Sequence, residues 1–326
     1  METNSLFKSM LVTTIIFDSN YVEPAIVTAY ELCKFSNDIK KIILIFINSK
    51  KEEDASALKL ATEFCQFARK YIPIDIIQVE NSLEPYQAYH FNNSIIYKAL
   101  IPSIVPNEEF VLNIDAGVLP GAEFSNLLVK INSLCKPNSN WIIGANCESA
   151  SLHLSPPLSS LQHNPLYPSG IILLFNIREY FSANWHSRFI EKYLLLKESL
   201  VLAEQDLICI TAEDNELIEL PDSSRHKILH LGDKSLKGEA PTLDNTTFQD
   251  CTFYKIVGSF KPWNYWVLDP NKALYTSRRA DMELEFKISG HPLIEVKRNK
   301  SIREEWPLQF YNLYDHYILR NFNLIK

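Results

Sequence analysis

Apolar residues along this chain fall into short β-branched runs, separated by stretches where they recur every three or four positions. Residues 11–17 (LVTTIIF) form such a run and close on Asp18. Residues 41–48 (KIILIFIN), 74–79 and 110–115 repeat the form, the last closing on Asp115. Runs of this kind read as buried strands. Residues 141–145 and 170–175 predict two more. Between them, 21–35, 54–71 and 188–199 carry helical spacing. Asp54 is a candidate N-cap, with Leu58, Leu60, Ala61, Phe64 and Phe67 on one apolar side. Residues 94–100 predict a short helix limited by Pro102. Strands alternating with helices predict an α/β, Rossmann-like domain, its central sheet mostly parallel and flanked by helices. Ligands of such sheets sit beyond the carboxyl ends of the strands. Two strand ends therefore matter most: Asp18-Ser19-Asn20-Tyr21 and Asp115-Ala116-Gly117.

The 326 residues suit one large domain with an appendage, divided here as 1–269 and 270–326, where the sequence turns charged and then aromatic. A hydrophobic content of 46% with 12% aromatics predicts a packed core. A net charge of -7 disfavours a general nucleic-acid binder. Cys33, Cys65, Cys135, Cys147, Cys209 and Cys251 show no CxxC spacing and read as reduced core residues of a cytoplasmic protein. The 11–17 run is too short for a signal peptide or a membrane span. Residues 149–169 and 231–250 read as loops, the first bordering the site. From Trp306, residues Phe310, Tyr311, Tyr314, Tyr317, Ile318, Phe322 and Ile325 approach helical spacing. Packing is the favoured role for this tail. Peripheral contact with the inner face of the cell membrane is the alternative. His226 and His230 are spaced for one metal but lack a third ligand.

Chemistry concentrates in residues 253–263 (FYKIVGSFKPW). Gly258 lets backbone approach an anionic group, Lys261 supplies a point charge for phosphate, and Pro262-Trp263 stiffens the loop. This stretch resembles the C-terminal His-x-x-Gly-x-x-Lys-Pro-Trp motif of glycosyltransferase family 8, with Lys255 where the family has His. Other segments resemble the same family in order. They are the turn 17–21, the helix 94–98 with Lys98 for Arg, the DxD strand 111–119, the strand 167–176 with Pro168 for Asn, the Glu204-Gln205-Asp206 segment, and Leu220-Pro221.

The resemblance implies a GT-A fold and retaining transfer from a UDP-sugar to a carbohydrate or glycolipid acceptor, as in synthesis of a bacterial surface glycan such as lipopolysaccharide. It implies that Asp18, Asn20, Tyr21, Asp115 and Gly117 line the nucleotide, with Ser169 and Gly170 beside the donor. Lys98, Lys255, Gly258 and Lys261 would handle the phosphates, and Gln205, with Glu204 and Asp206, would face the sugar. In family 8 two carboxylates and a His hold manganese on the diphosphate. Here the second carboxylate is Gly117 and the His is Lys255, so no metal cofactor is expected, manganese and magnesium being disfavoured. A lysine standing in for the metal is the sharper reading, and decay of the site with Lys255 as a solvated lysine is its rival. Local alternatives stay open as well. Asp18 and Asn20 suit a turn and helix cap, and Glu204-Gln205-Asp206 suits the acidic start of a helix. Two further functional readings are a catalytically inactive binding protein and a metal-independent transferase using a nucleoside-monophosphate sugar.

Overall fold

The computed structural model describes residues 11–83, 93–154, 156, 158–221, 227–230, 251–257 and 272–288. Gly258, Lys261, Pro262, Trp263, His226, the 231–250 loop and the aromatic tail lie outside this set, as does the expected domain boundary at 269–270. The chain divides into two compact units, Met1–Lys227 with Asn245–Lys255, and Ile228–Asp244 with Ile256–Lys326.

In the first unit, β1 (Val12–Phe17), β2 (Lys41–Asn48), β3 (Ile74–Glu80) and β4 (Phe110–Ile114) pair in parallel, in the order β3-β2-β1-β4. The sheet continues through β7 (Leu166–Asn176), β6 (Ile143–Ser149) and β8 (Leu217–Glu219). Strand β7 is antiparallel to both β4 and β6, so the sheet is mixed. Every residue of β1 and β4 is buried, which explains their unbroken apolar character. Of the polar exceptions, Thr14 donates to Asn113 Oδ1 across β1 and β4 at 3.3 Å, while Thr13 Oγ1 and Asn113 Nδ2 are buried without a partner among the described residues. Helices α1 (Val22–Cys33) and α2 (Glu52–Ala68) connect the parallel strands. Asp54 lies one turn inside α2 and not at its N-cap, which is Lys51; its Oδ2 accepts from Ser49 N and Lys51 N. Pro102 likewise does not end the preceding helix. Residues Asn93–Leu100 form a 3-10 helix, and Pro102 sits in the first turn of α3 (Ile101–Ile104), where a missing N–H costs nothing.

Beyond β4 the chain turns at Asp115-Ala116-Gly117 into β5 (Val118–Pro120), which pairs antiparallel with β10 (Phe253–Val257). Gly117 has φ 84°, a conformation costly for residues with a Cβ. Thr28 of α1 clamps this turn, its hydroxyl accepting from Gly117 N and donating to Val118 O, both at 2.9 Å. Helices α4 (Phe124–Leu134), α5 (Ile177–Ser182), α6 (Trp185–Leu196) and α7 (Glu204–Thr211) complete this unit. The 149–169 segment is not a continuous loop. It holds 3-10 turns at Ala150–Leu152 and Leu158–Leu161 and then enters β7, which carries Ser169 and Gly170.

The described part of the second unit includes the strand β9 (Lys227–His230) and α8 (Lys272–Ile288). In α8, Tyr275, Met282 and Phe286 are buried on one stripe, and Arg279 pairs with Glu283 at 2.9 Å. Among the described residues no helix is long and apolar enough to cross a membrane.

Replacing Thr28 by Val keeps its shape but leaves two buried backbone groups without their partner. The unfolding free energy is expected to fall by about 1–3 kcal/mol in urea titrations. Gly117→Ala, strained at its positive φ, is expected to cost about 1–2 kcal/mol. Changes below ~0.5 kcal/mol in both would show that the turn needs neither residue.

Candidate active site

Four charged side chains from four different elements meet at the end of β4. Asp115 follows the strand. Lys98 comes from the 3-10 helix, Glu204 from the first turn of α7, and Lys255 from β10. The register of β10 on β5 sets Lys255 opposite Val118, three residues past Asp115. Its Nζ lies 2.5 Å from Asp115 Oδ2 and donates to Ala116 O at 2.5 Å. Lys98 Nζ lies 2.9 Å from Asp115 Oδ1 and 3.4 Å from both Glu204 Oε1 and Gly170 O. One carboxylate thus bridges two ammonium groups. Both lysines are buried, whereas Asp115 keeps 20% of its side chain exposed. The reading of Lys255 as a solvated lysine is therefore corrected: it is a buried group held against Asp115.

The electrostatics follow from this packing. Burial works against the charge on Lys98, but Asp115 and Glu204 outweigh it and hold the ammonium protonated above its usual range. Burial would raise Asp115, yet Lys255 and Lys98 reverse this and bring its carboxyl down to about 2. Lys255 is pushed down by burial and by Lys98, only partly offset by Asp115. Glu204 is fully buried, and burial lifts its carboxyl to about 7 against the pull of Lys98. Its Oε2 has no hydrogen-bond partner among the described residues.

Glycine at 170 is a steric requirement of this arrangement. A Cβ there would meet Glu204 Oε1 at 2.2 Å and Gln205 Cγ at 3.6 Å. Gly170 and Gln205 are thus neighbours, with Gln205 partly exposed beside the buried Glu204. Asp206 differs from the expectation that it faces the sugar. Its Oδ2 accepts from Val201 N at 2.7 Å and Leu202 N at 2.8 Å, and its Oδ1 accepts from Tyr167 OH at 2.7 Å. The residue that follows Leu202, Ala203, is buried with φ 46° and ψ -109°.

Asp18 is buried at the end of β1, and its carboxylate accepts from Asn20 N at 2.9 Å, so the helix-cap reading of this turn holds locally. Asn20 is exposed. Burial, Asp115 and Asp18 push the Tyr21 phenol up to about 12 against the opposing pull of Lys98, which ties this turn electrostatically to the Asp115 cluster. Ser169 Oγ accepts from Ile171 N at 3.4 Å, one residue from the site glycine. Of the sequence candidates described, Lys98, Asp115, Gly170, Glu204 and Lys255 share direct contacts. Gln205 and Tyr21 border them. Thr28, Tyr167 and Ala203 had no role in the sequence reading. Each acts through backbone geometry or long-range contact, which no local motif records.

These donors do not fit a family-8 manganese site. Two residues past Asp115 stands Gly117, at positive φ and with no side chain to ligate, and an ammonium lies 2.5 Å from the Asp115 carboxylate. A divalent cation at Asp115 would have to displace that ammonium or sit against it.

Comparison with solved structures places the architecture. The galactosyltransferase LgtC, in complex with donor and acceptor sugar analogs, superposes with a TM-score of 0.60 at 13% identity, covering 83% of this chain and 95% of that one. The bifunctional glycosyltransferase WbbM superposes with 0.60 at 17% identity, over 88% of this chain and 52% of that one. The fold is that of the GT-A glycosyltransferases. GlyE of Streptococcus pneumoniae TIGR4 gives 0.51 at 14% identity, over 88% of this chain and 66% of that one. No protein-family model and no curated sequence matches this chain. This GT-A chain therefore shares architecture with these enzymes, and its function has to be argued from its own site.

The cluster predicts two opposite pH responses. Glu204 binds its proton more tightly folded than unfolded, so it stabilises the fold in acid, and that contribution is lost as pH rises from 4.5 to about 7. Asp115 binds its proton less tightly when folded, so its contribution is complete above 3.8 and is lost as pH falls towards about 2. In urea unfolding across pH, Glu204→Gln is expected to flatten the decline between pH 4.5 and 7 while leaving the acid-side loss in place. An unchanged decline in the variant would assign the upper titration to another group.

Proposed function

We propose that this chain is a glycosyltransferase resembling family 8. It would move a sugar from a UDP-sugar to a carbohydrate or glycolipid acceptor with retention, using buried lysines where relatives use a DxD-bound metal. The observation that carries this reading is the Lys98–Asp115–Lys255 bridge. It concentrates positive charge at the carboxyl end of a central strand, where α/β sheets bind ligands.

The chemistry follows from the residues. The bond between the sugar C1 and the diphosphate oxygen breaks, and the electron pair leaves with the phosphate. Fixed cations stabilise that developing charge without solvent reorganisation. Lys98 and Lys255 are positioned for this, with Lys261 as an expected third contributor. The acceptor hydroxyl attacks C1 from the leaving-group side, which preserves configuration, and its proton passes to the departing phosphate oxygen. Gln205 is a poor nucleophile, and its carbonyl, with Glu204 behind it, suits stabilisation of an oxocarbenium-like carbon. Asp18, Asn20, Tyr21 and Gly117 are the proposed contacts to nucleoside and ribose, with Ser169 and Gly170 beside the donor sugar. The acceptor, and any membrane contact through the tail, rest on the sequence reading alone.

Calorimetry with UDP, UDP-hexoses and a nucleoside-monophosphate sugar tests this reading. UDP-sugar binding is expected to be unchanged by EDTA and to weaken at least about 30-fold in Lys255→Ala, as for removal of one partner of a buried charge pair. Transfer of the sugar in the same preparation completes the test. Binding that requires manganese would refute the lysine substitution. Preference for the monophosphate sugar would change the donor class. Binding without turnover against a panel of acceptors would favour a non-catalytic binding protein.

A further inference from the structure

The segment that delivers Glu204 and Gln205 is held in a conformation its own sequence does not favour. Ala203 is fully buried at φ 46°, ψ -109°, a backbone region that L-residues rarely occupy and that costs on the order of 1–3 kcal/mol. Something must hold it there, and the holding group is visible. Asp206, three residues on, accepts from the two backbone N–H groups immediately before Ala203, those of Val201 and Leu202. Its other oxygen is fixed by the buried Tyr167 hydroxyl of β7. The Asp206 carboxylate thus closes a ring around the strained residue and ties it to the same strand that carries Gly170. Tyr167 is in turn covered by His153, whose ring stacks on it at 4.6 Å.

We infer that Asp206 is a positioning residue: with Tyr167 it locks the strained Ala203 turn and so sets Glu204 and Gln205 against the donor sugar. This rests on the transferase reading above. It assigns Asp206 no bond to the sugar, since both its oxygens are committed to the fold. A carboxylate accepts from two backbone N–H groups and a hydroxyl together. Asparagine can keep three bonds by taking both N–H groups on its oxygen and donating its amide N–H to the Tyr167 oxygen, so alanine is the substitution that opens the ring. The dependence is geometric, and small misplacements of a reacting group carry large rate penalties.

The test is a rescue experiment. Asp206→Ala is expected to lower kcat roughly 10²-fold with little change in donor KM. Adding Ala203→Gly, which adopts the same backbone without strain, is expected to restore at least about tenfold of that loss, because the turn then needs less holding. Tyr167→Phe, which removes one bond of the ring, provides a milder variant should Asp206→Ala fold poorly, and it should be rescued in the same way. Failure of glycine to rescue either folded variant would overturn the inference. So would recovery of a sugar covalently attached to Asp206. If the wild-type chain transfers no sugar, amide exchange still decides the lock. Val201 and Leu202 should exchange at least tenfold faster in Asp206→Ala or Tyr167→Phe, and unchanged exchange would refute it without reference to catalysis.

Discussion

Two buried ammonium groups sharing one carboxylate is the arrangement on which the rest of this site depends. Removing an ion from water costs several kcal/mol even after relaxation, and Asp115 can offset two such costs only in part. Glu204 does little to close the gap, because its own burial leaves it only partly ionised near neutrality. Two lysines thus face one carboxylate and a second that burial protonates in part, so the cluster leans positive. That is unfavourable for stability and favourable for an anion, the trade expected where function and not packing has set the residues.

On the proposed reading, a similar balance of charge is reached without a metal. A divalent cation held by two carboxylates is neutral, and an adjacent basic residue leaves one positive charge. On the proposed reading Gly117 stands for the second carboxylate and Lys255 takes the part of the metal, and two lysines against Asp115 and a partly protonated Glu204 lean positive in the same way. An aspartate at position 117 would have to adopt a positive φ. The geometry of the turn, clamped by Thr28, favours the glycine.

Much of this was legible in the sequence because it depends on local chemistry. Lys41–Asn48 is apolar almost throughout and became a strand with those bounds. Asp18 and Asp115 mark strand ends because a charged residue stops a buried run. Lys98, Glu204 and Lys255 stood out through motif positions, and tertiary packing brings them together on Asp115. What was not legible depends on distant partners or on backbone angles. The role of Asp206 is invisible without Tyr167, which is 39 positions away in β7. The strain at Ala203 leaves no trace in the letter, since an alanine there reads as an ordinary helix former. Asp54 misled for the opposite reason. A good N-cap residue lies one turn inside α2, where its carboxylate reaches back to the backbone N–H of Lys51.

Site and scaffold are therefore one construction. Strand β4 ends at the bridging acid, Thr28 fixes the turn, β5 receives the strand that brings Lys255, and β7 supplies both Gly170 and the tyrosine behind α7. The central claim is that the Lys255 ammonium occupies the place of a metal. A crystal structure grown with UDP and manganese, with anomalous data at the manganese edge, tests it most directly. The account predicts Lys255 Nζ within hydrogen-bond distance of the diphosphate and no anomalous peak beside Asp115. A manganese peak bridging Asp115 and the diphosphate, with Lys255 displaced, would contradict it.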